Sequence, residues 1–115
     1  MPHEVQIGSF KVGGGHRPFL IAGPCVIESE QLVLETAARI AEIAKSLGMP
    51  YIFKSSFDKA NRTSITSYRG PGLEKGLAVL KQVKDQLNLP VLTDVHTEEQ
   101  ATEAGKIVDV VLIEA

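Results

Sequence analysis

The feature that most constrains this chain is an alternation of two periods. Short apolar runs at residues 19–22, 51–53, 89–95 and 107–114 are separated by stretches whose apolar residues return every three or four places. Apolar runs bounded by turn residues read as strands, and the three-four spacing reads as helix. The resulting order is β-α-β-α-β-α-β. Strands alternating with helices make right-handed βαβ units and a parallel sheet.

The first helix is expected in "SEQLVLETAARIAEIAKSLGMP", with Val33, Ala37, Ile40, Ala44 and Leu47 on one face. Ser29 is its N-cap, Glu30 and Lys45 suit its two ends, and Gly48 and Pro50 stop it. The second, "LEKGLAVLKQVKDQLN", follows the break Gly70-Pro71-Gly72 and buries Leu73, Leu77, Leu80 and Leu87. Thr97 and Gln100 form a capping box before a third, short helix through Ala101 and Ala104. Residues 1–18 stand apart. "VQIGSFKVGGGHRPF" alternates around glycines and reads as a small β-hairpin, with Gly13-Gly14-Gly15 as a flexible turn or linker.

At 115 residues and 43% apolar, the chain suits one globular domain. A formal charge of −2 argues against a nucleic-acid surface but leaves room for a local cationic pocket. A single cysteine, Cys25, excludes an intrachain disulfide and suits a reducing compartment. No apolar run approaches a membrane span, and the first ten residues lack the blocks of a signal peptide, so a cytoplasmic location is expected. "VGGGHRP" lacks the spacing of a dinucleotide fingerprint, and no phosphate-binding P-loop is present.

Three segments follow the C-terminal ends of strands, where α/β sheets and barrels bind ligands. "YIFKSSFDKANRTS" carries Lys54, Lys59 and Arg62, with Asn61 and Thr63 among them. Such cations suit an anionic substrate, phosphate or carboxylate; the alternative is a solvated charged loop. "TDVH" offers Asp94 and His96 for sugar hydroxyls, a metal or proton transfer, or else simply a turn cap and a loop residue. "AGPCVIES" places Cys25 past a Gly-Pro turn, as a metal ligand or nucleophile, or as a small apolar residue.

Taken together, "LIAGPCVIES", "FKSSFDKANRTS", "SYRGPGLEKG" and "LTDVH" closely resemble the 3-deoxy-D-manno-octulosonate 8-phosphate synthases, over nearly the whole chain. The resemblance implies a (β/α)8 barrel with an added N-terminal hairpin. It implies condensation of phosphoenolpyruvate with arabinose 5-phosphate, releasing phosphate, for Kdo and lipopolysaccharide synthesis. By position, Lys54 and Lys59 match lysines that contact phosphoenolpyruvate, and Lys59 also lies near the aldehyde. Asn61, Arg62 and Thr63 match the arm that holds the pentose phosphate. Asp94 and His96 match residues beside the pentose; with Lys59 they form the expected catalytic set. Cys25 matches the ligand of the metal-dependent class, implying a divalent metal ion. The family implies a homo-oligomer, a tetramer, whose arm reaches a neighbouring subunit.

A barrel of this kind has eight strands and about 250 residues. The expected architecture is therefore an N-terminal half, four parallel strands and three helices over residues 19–115, behind the hairpin. The remaining metal ligands of the family would lie downstream, and Leu112-Ile113-Glu114-Ala115 departs from its pattern of Gln, an apolar residue, Pro and Ala. A truncated or frameshifted product, or a partial sequence, is expected, with the family activity lost or incomplete. The rival reading is a non-catalytic half-barrel that self-associates or binds phosphorylated ligands weakly.

Overall fold

The computed structural model describes residues 3–58 and 70–113. Two strands, β1 (Glu4–Ile7) and β2 (Phe10–Gly13), form an antiparallel hairpin. The hairpin turns at Gly8–Ser9, and Gly14 and Gly15 of the glycine triplet form the turn that leads out of it, with His16 N on Gly13 O at 3.0 Å. There follow β3 (Leu20–Ala22), α1 (Glu30–Ser46), β4 (Tyr51–Lys54), α2 (Leu73–Leu87), β5 (Val91–Val95), α3 (Glu98–Ala104) and β6 (Val110–Ile113). The last four strands make one parallel sheet in chain order, β3-β4-β5-β6. This is the mixed α/β arrangement expected of successive βαβ units.

The helix ends obey local chemistry. Ser29 accepts the Leu32 N–H at 3.1 Å and caps α1. At the other end Met49 N bonds Ala44 O at 2.9 Å and Gly48 N bonds Lys45 O at 3.0 Å, a Schellman turn. Val33, Ala37 and Ala44 are buried and Ile40 packs beside them, as the spacing predicts. Leu47 differs and is 67% exposed. It is the C-cap, so helical periodicity no longer directs it. Thr97 caps α3 by accepting the Gln100 N–H at 3.1 Å. The capping box is off by one place, since Gln100 Oε1 accepts from His96 N at 2.8 Å rather than from Thr97. The last strand also starts later than the apolar run suggests. Ile107 and Val108 both donate their N–H to Ala104 O and belong to the turn that ends α3.

One core joins the three helices to alternate strand positions: Val33, Leu80, Val83 and Ala104 against Phe53 and Val91, with others beside them. Side chains alternate across a sheet, so Ile21, Ile52, Leu92 and Leu112 fall on the opposite face. There Ile52 and Leu92 are buried in the central strands, while Ile21 and Leu112 are exposed at the edges. Among the described residues no helix is long and apolar enough to cross a membrane.

Candidate active site

The C-terminal ends of β3, β4 and β5 lie at one rim. Two close approaches bring the rim segments together. At Gly23 a Cβ would stand 1.9 Å from Lys54 O, so only glycine lets the end of β3 lie against β4. At Gly76 a Cβ would stand 2.3 Å from Phe57 Cβ, so α2 can sit directly on the buried Phe57 ring. Phe57 O also accepts from Gly72 N at 3.0 Å, which pins the start of α2 to the end of the β4 segment.

Beyond the regular ladder, hydroxyl groups continue the strand pairing. Ser55 Oγ donates to Pro24 O at 2.7 Å, and Thr93 Oγ1 donates to Ser55 O at 2.8 Å. Ser56 faces the other way. Its N–H donates to Cys25 O at 3.3 Å, its carbonyl accepts from Ile27 N at 3.0 Å, and its Oγ donates to Asp94 Oδ1. Ser55, Ser56, Thr93 and Asp94 are all buried. Buried polar groups at this density must satisfy one another, which fixes the rim segments in register.

Asp94 Oδ2 stands 3.3 Å from His96 Nε2. That is ion-pair distance, but the angles do not make a hydrogen bond, and His96 Nε2 is the buried side-chain atom without a bonded partner among the described residues. The pair thus keeps spare capacity. A carboxylate oxygen and a ring nitrogen in this state can accept or donate a proton or hold a sugar hydroxyl.

Cys25, Lys54 and Ser56 line a cavity of about 260 Å³ with Ile21, Ala22 and Pro24. Ser56 links this cavity to the Asp94–His96 pair. The larger hollow at the opposite end of the sheet, about 560 Å³ and bordered by Arg17 and Lys45, holds no acid–base pair. Arg17 is already bonded there to Gly48 O.

Of the residues expected from sequence, the structure puts Cys25, Lys54, Asp94 and His96 at this rim. Lys59, Asn61, Arg62 and Thr63 lie outside the described residues. Cys25 is a free, exposed thiol, and the described residues contain no group of three or more His, Cys, Asp or Glu side chains placed to hold a metal. Among the described residues, Cys25 alone does not make a metal site. Sequence reasoning assigned no role to Ser56 or Thr93, and gave the Gln100 side chain to Thr97 rather than to His96 N. The one available signal was the pair of serines directly after a strand, which must point to opposite faces.

Residues 3–115 match the model of the DAHP synthetase I family. The chain belongs to that family. It is similar to proteins named 2-dehydro-3-deoxyphosphooctonate aldolase. It is 62% identical over 106 residues to that of Variovorax paradoxus, covering 92% of this chain and 37% of the relative. Against that of Trichlorobacter lovleyi it is 55% identical over 115 residues, covering all of this chain and 42% of the relative. The chain thus spans about two fifths of the length of the curated relatives it matches.

Proposed function

We propose that this chain is the N-terminal part of a (β/α)8 enzyme that condenses phosphoenolpyruvate with arabinose 5-phosphate to give 3-deoxy-D-manno-octulosonate 8-phosphate and phosphate. The observation that carries the reading is the rim itself. A lysine-bearing cavity and an incompletely bonded Asp–His pair are joined through Ser56, in a chain similar to proteins named for aldolase chemistry.

In this reading the enol carbon of phosphoenolpyruvate attacks the pentose aldehyde, water adds to the carbon left electron-poor, and phosphate departs. Lys54 and Lys59 hold the phosphoenolpyruvate anion, and Lys59 lies near the aldehyde oxygen, where negative charge develops. Asn61, Arg62 and Thr63 grip the pentose phosphate; the planar guanidinium of Arg62 suits two phosphate oxygens at once. Asp94 and His96 sit beside the pentose hydroxyls and carry protons. Cys25 supplies one ligand to a divalent metal whose other ligands come from outside the described residues. When bound, such an ion would polarise an oxygen or orient a water. Ile21 at one sheet edge and Leu112 and Ile113 at the other are exposed, which supports a self-associating chain.

The test is a chimera in which this chain replaces the matching segment of the Variovorax paradoxus relative. It should release phosphate from phosphoenolpyruvate only when arabinose 5-phosphate is present. An inactive, folded chimera beside an active parent would refute the reading.

A further inference from the structure

The geometry points to Ser56 as the positioning residue of this rim: by donating to Asp94 Oδ1, its hydroxyl fixes the carboxylate so that Oδ2 faces His96. The consequence for substrate rests on the reading above; the structural coupling does not.

Three observations lead here. First, the Ser56 backbone is held on both sides by the segment that follows β3. Its N–H is taken by Cys25 O, its carbonyl by Ile27 N, and Val26 pairs with Ser56 as an isolated parallel bridge. The hydroxyl is therefore carried by the segment that continues β4, held from the β3 side, and grips an acid on β5, the neighbouring strand on the other side. Second, donor and acceptor are both buried, each only 4% exposed. A hydrogen bond to a buried carboxylate is charge-assisted and directional. Third, the two carboxylate oxygens are divided. Oδ1 is bonded to Ser56, and Oδ2 is left 3.3 Å from a ring nitrogen that has no bonded partner among the described residues. The His96 end is held separately, through Gln100 Oε1 on the His96 N–H at 2.8 Å. With that backbone fixed, the rotamer of Asp94 decides how acid and ring meet, and Ser56 decides the rotamer.

Removing the hydroxyl leaves Oδ1 buried and unsatisfied. The carboxylate then turns toward another donor, and His96 or a pentose hydroxyl loses its partner. Ser56 would act through Asp94 and touch no reacting atom.

Two measurements on the purified 115-residue chain test the coupling. In mixed H₂O and D₂O, the Asp94 carboxyl carbon should show an isotope shift from the Ser56 hydroxyl. Ser56→Ala should abolish it and move the His96 ring nitrogen resonances, and in an Asp94→Asn background the same change should leave His96 where Asp94→Asn put it. No isotope shift in the unsubstituted chain, or unmoved His96 resonances in a folded Ser56→Ala chain, would overturn the inference. The first measurement needs no variant, so misfolding of Ser56→Ala does not block the test.

In the active chimera, Ser56→Ala should raise the KM for arabinose 5-phosphate about 10-fold, the scale of one charge-assisted hydrogen bond, with a smaller change for phosphoenolpyruvate. It should add nothing once Asp94 is Asn. Independent, multiplying losses would overturn the assignment. If the unsubstituted chimera is inactive, the functional reading fails, and the resonance measurements still decide the role of Ser56.

Discussion

Asp94 on β5 and Asp109 just before β6 stand at opposite ends of one pair of neighbouring strands, and their bonding differs. At the N-terminal end, Asp109 spends both oxygens on structure. Oδ2 accepts from Val91 N at 2.9 Å, Oδ1 accepts from Lys84 Nζ at 3.2 Å, and the Asp109 N–H returns a bond to Val91 O at 2.9 Å. Lys84 also reaches Ile107 O at 3.2 Å. One carboxylate thus ties the start of β5, the approach to β6 and the last turn of α2. At the C-terminal rim, Asp94 gives one oxygen to Ser56 and leaves the other facing a ring nitrogen that has no bonded partner among the described residues. A carboxylate with both oxygens engaged by the fold is committed to holding its neighbours. A buried one with capacity in reserve costs stability and is retained for chemistry.

The most drastic way to break this comparison is to assay the isolated chain. The end that Asp109 ties together lies within the chain, whereas the rim has no group of three metal-ligating side chains among the described residues and about two fifths of the relatives' length behind it. It should fold and show no turnover. Phosphate release from phosphoenolpyruvate with arabinose 5-phosphate should stay at background, with or without added divalent metal. The preparation should elute above monomer size, because Ile21, Leu112 and Ile113 are exposed at the sheet edges. Robust phosphate release from a preparation free of host enzyme would show that this segment's rim suffices.

Asp94→Asn in the active chimera comes next. It removes the charge while keeping size and one acceptor, so kcat/KM should fall about 100-fold or more, the scale of a lost acid–base group. Thermal stability should barely move. A large drop in Tm with activity retained per folded molecule would make Asp94 structural, like Asp109.

The converse experiment is Asp109→Ala. It leaves the buried Val91 N–H without its side-chain acceptor and frees Lys84. The half-exposed Lys84 contact adds little, so the loss should be about 2 kcal/mol, most of it from the unsatisfied backbone donor. In urea the midpoint should fall with an unchanged slope. The chimera's KM values should not change, and a selective loss of pentose binding would erase the distinction between the two ends.

Much of the scaffold was legible in the sequence, because it is dictated locally. The spacing of Val33, Ala37 and Ala44 predicts which face of α1 is buried, and Ser29 and Thr97 cap the helices they precede. Leu47 was misleading, because periodicity stops where the helix does. The glycine triplet does form a turn, the one that leaves the hairpin, with His16 N on Gly13 O at 3.0 Å; which glycine turns the hairpin itself is decided by the ladder register, at Gly8–Ser9. Cys25, Lys54, Asp94 and His96 were placed at one rim by strand order alone. The bond from Ser56 to Asp94 was not legible. It depends on β4 and β5 pairing with Lys54 beside Leu92, and on the post-β3 segment holding the Ser56 backbone. No local pattern encodes a contact that needs three strand segments at once.

The smallest expected effect concerns a residue that spans the two ends. Tyr51 opens β4, and its hydroxyl reaches up the sheet to donate to Ala22 O at 2.8 Å, just below the rim. Burial pushes its phenol well above the ordinary tyrosine range, because a phenolate there would lose its water. The sign follows from linkage. The folded state holds the Tyr51 proton to higher pH than the unfolded chain does. Its contribution is therefore complete below the unfolded value of about 10 and declines as pH rises past it. Tyr51→Phe should cost about 1 kcal/mol at pH 8, where Ala22 O loses its donor. Above pH 10 the gap between the two proteins should narrow, since phenylalanine has no proton to lose. Lysines titrate in the same range, but they do so in both proteins and cancel in the difference. Urea midpoints measured for both at intervals from pH 8 to pH 11 give that difference directly. A gap that stays constant across the series would mean that Tyr51 ionises equally in the folded and unfolded chains, and that the bond to Ala22 holds no proton in place.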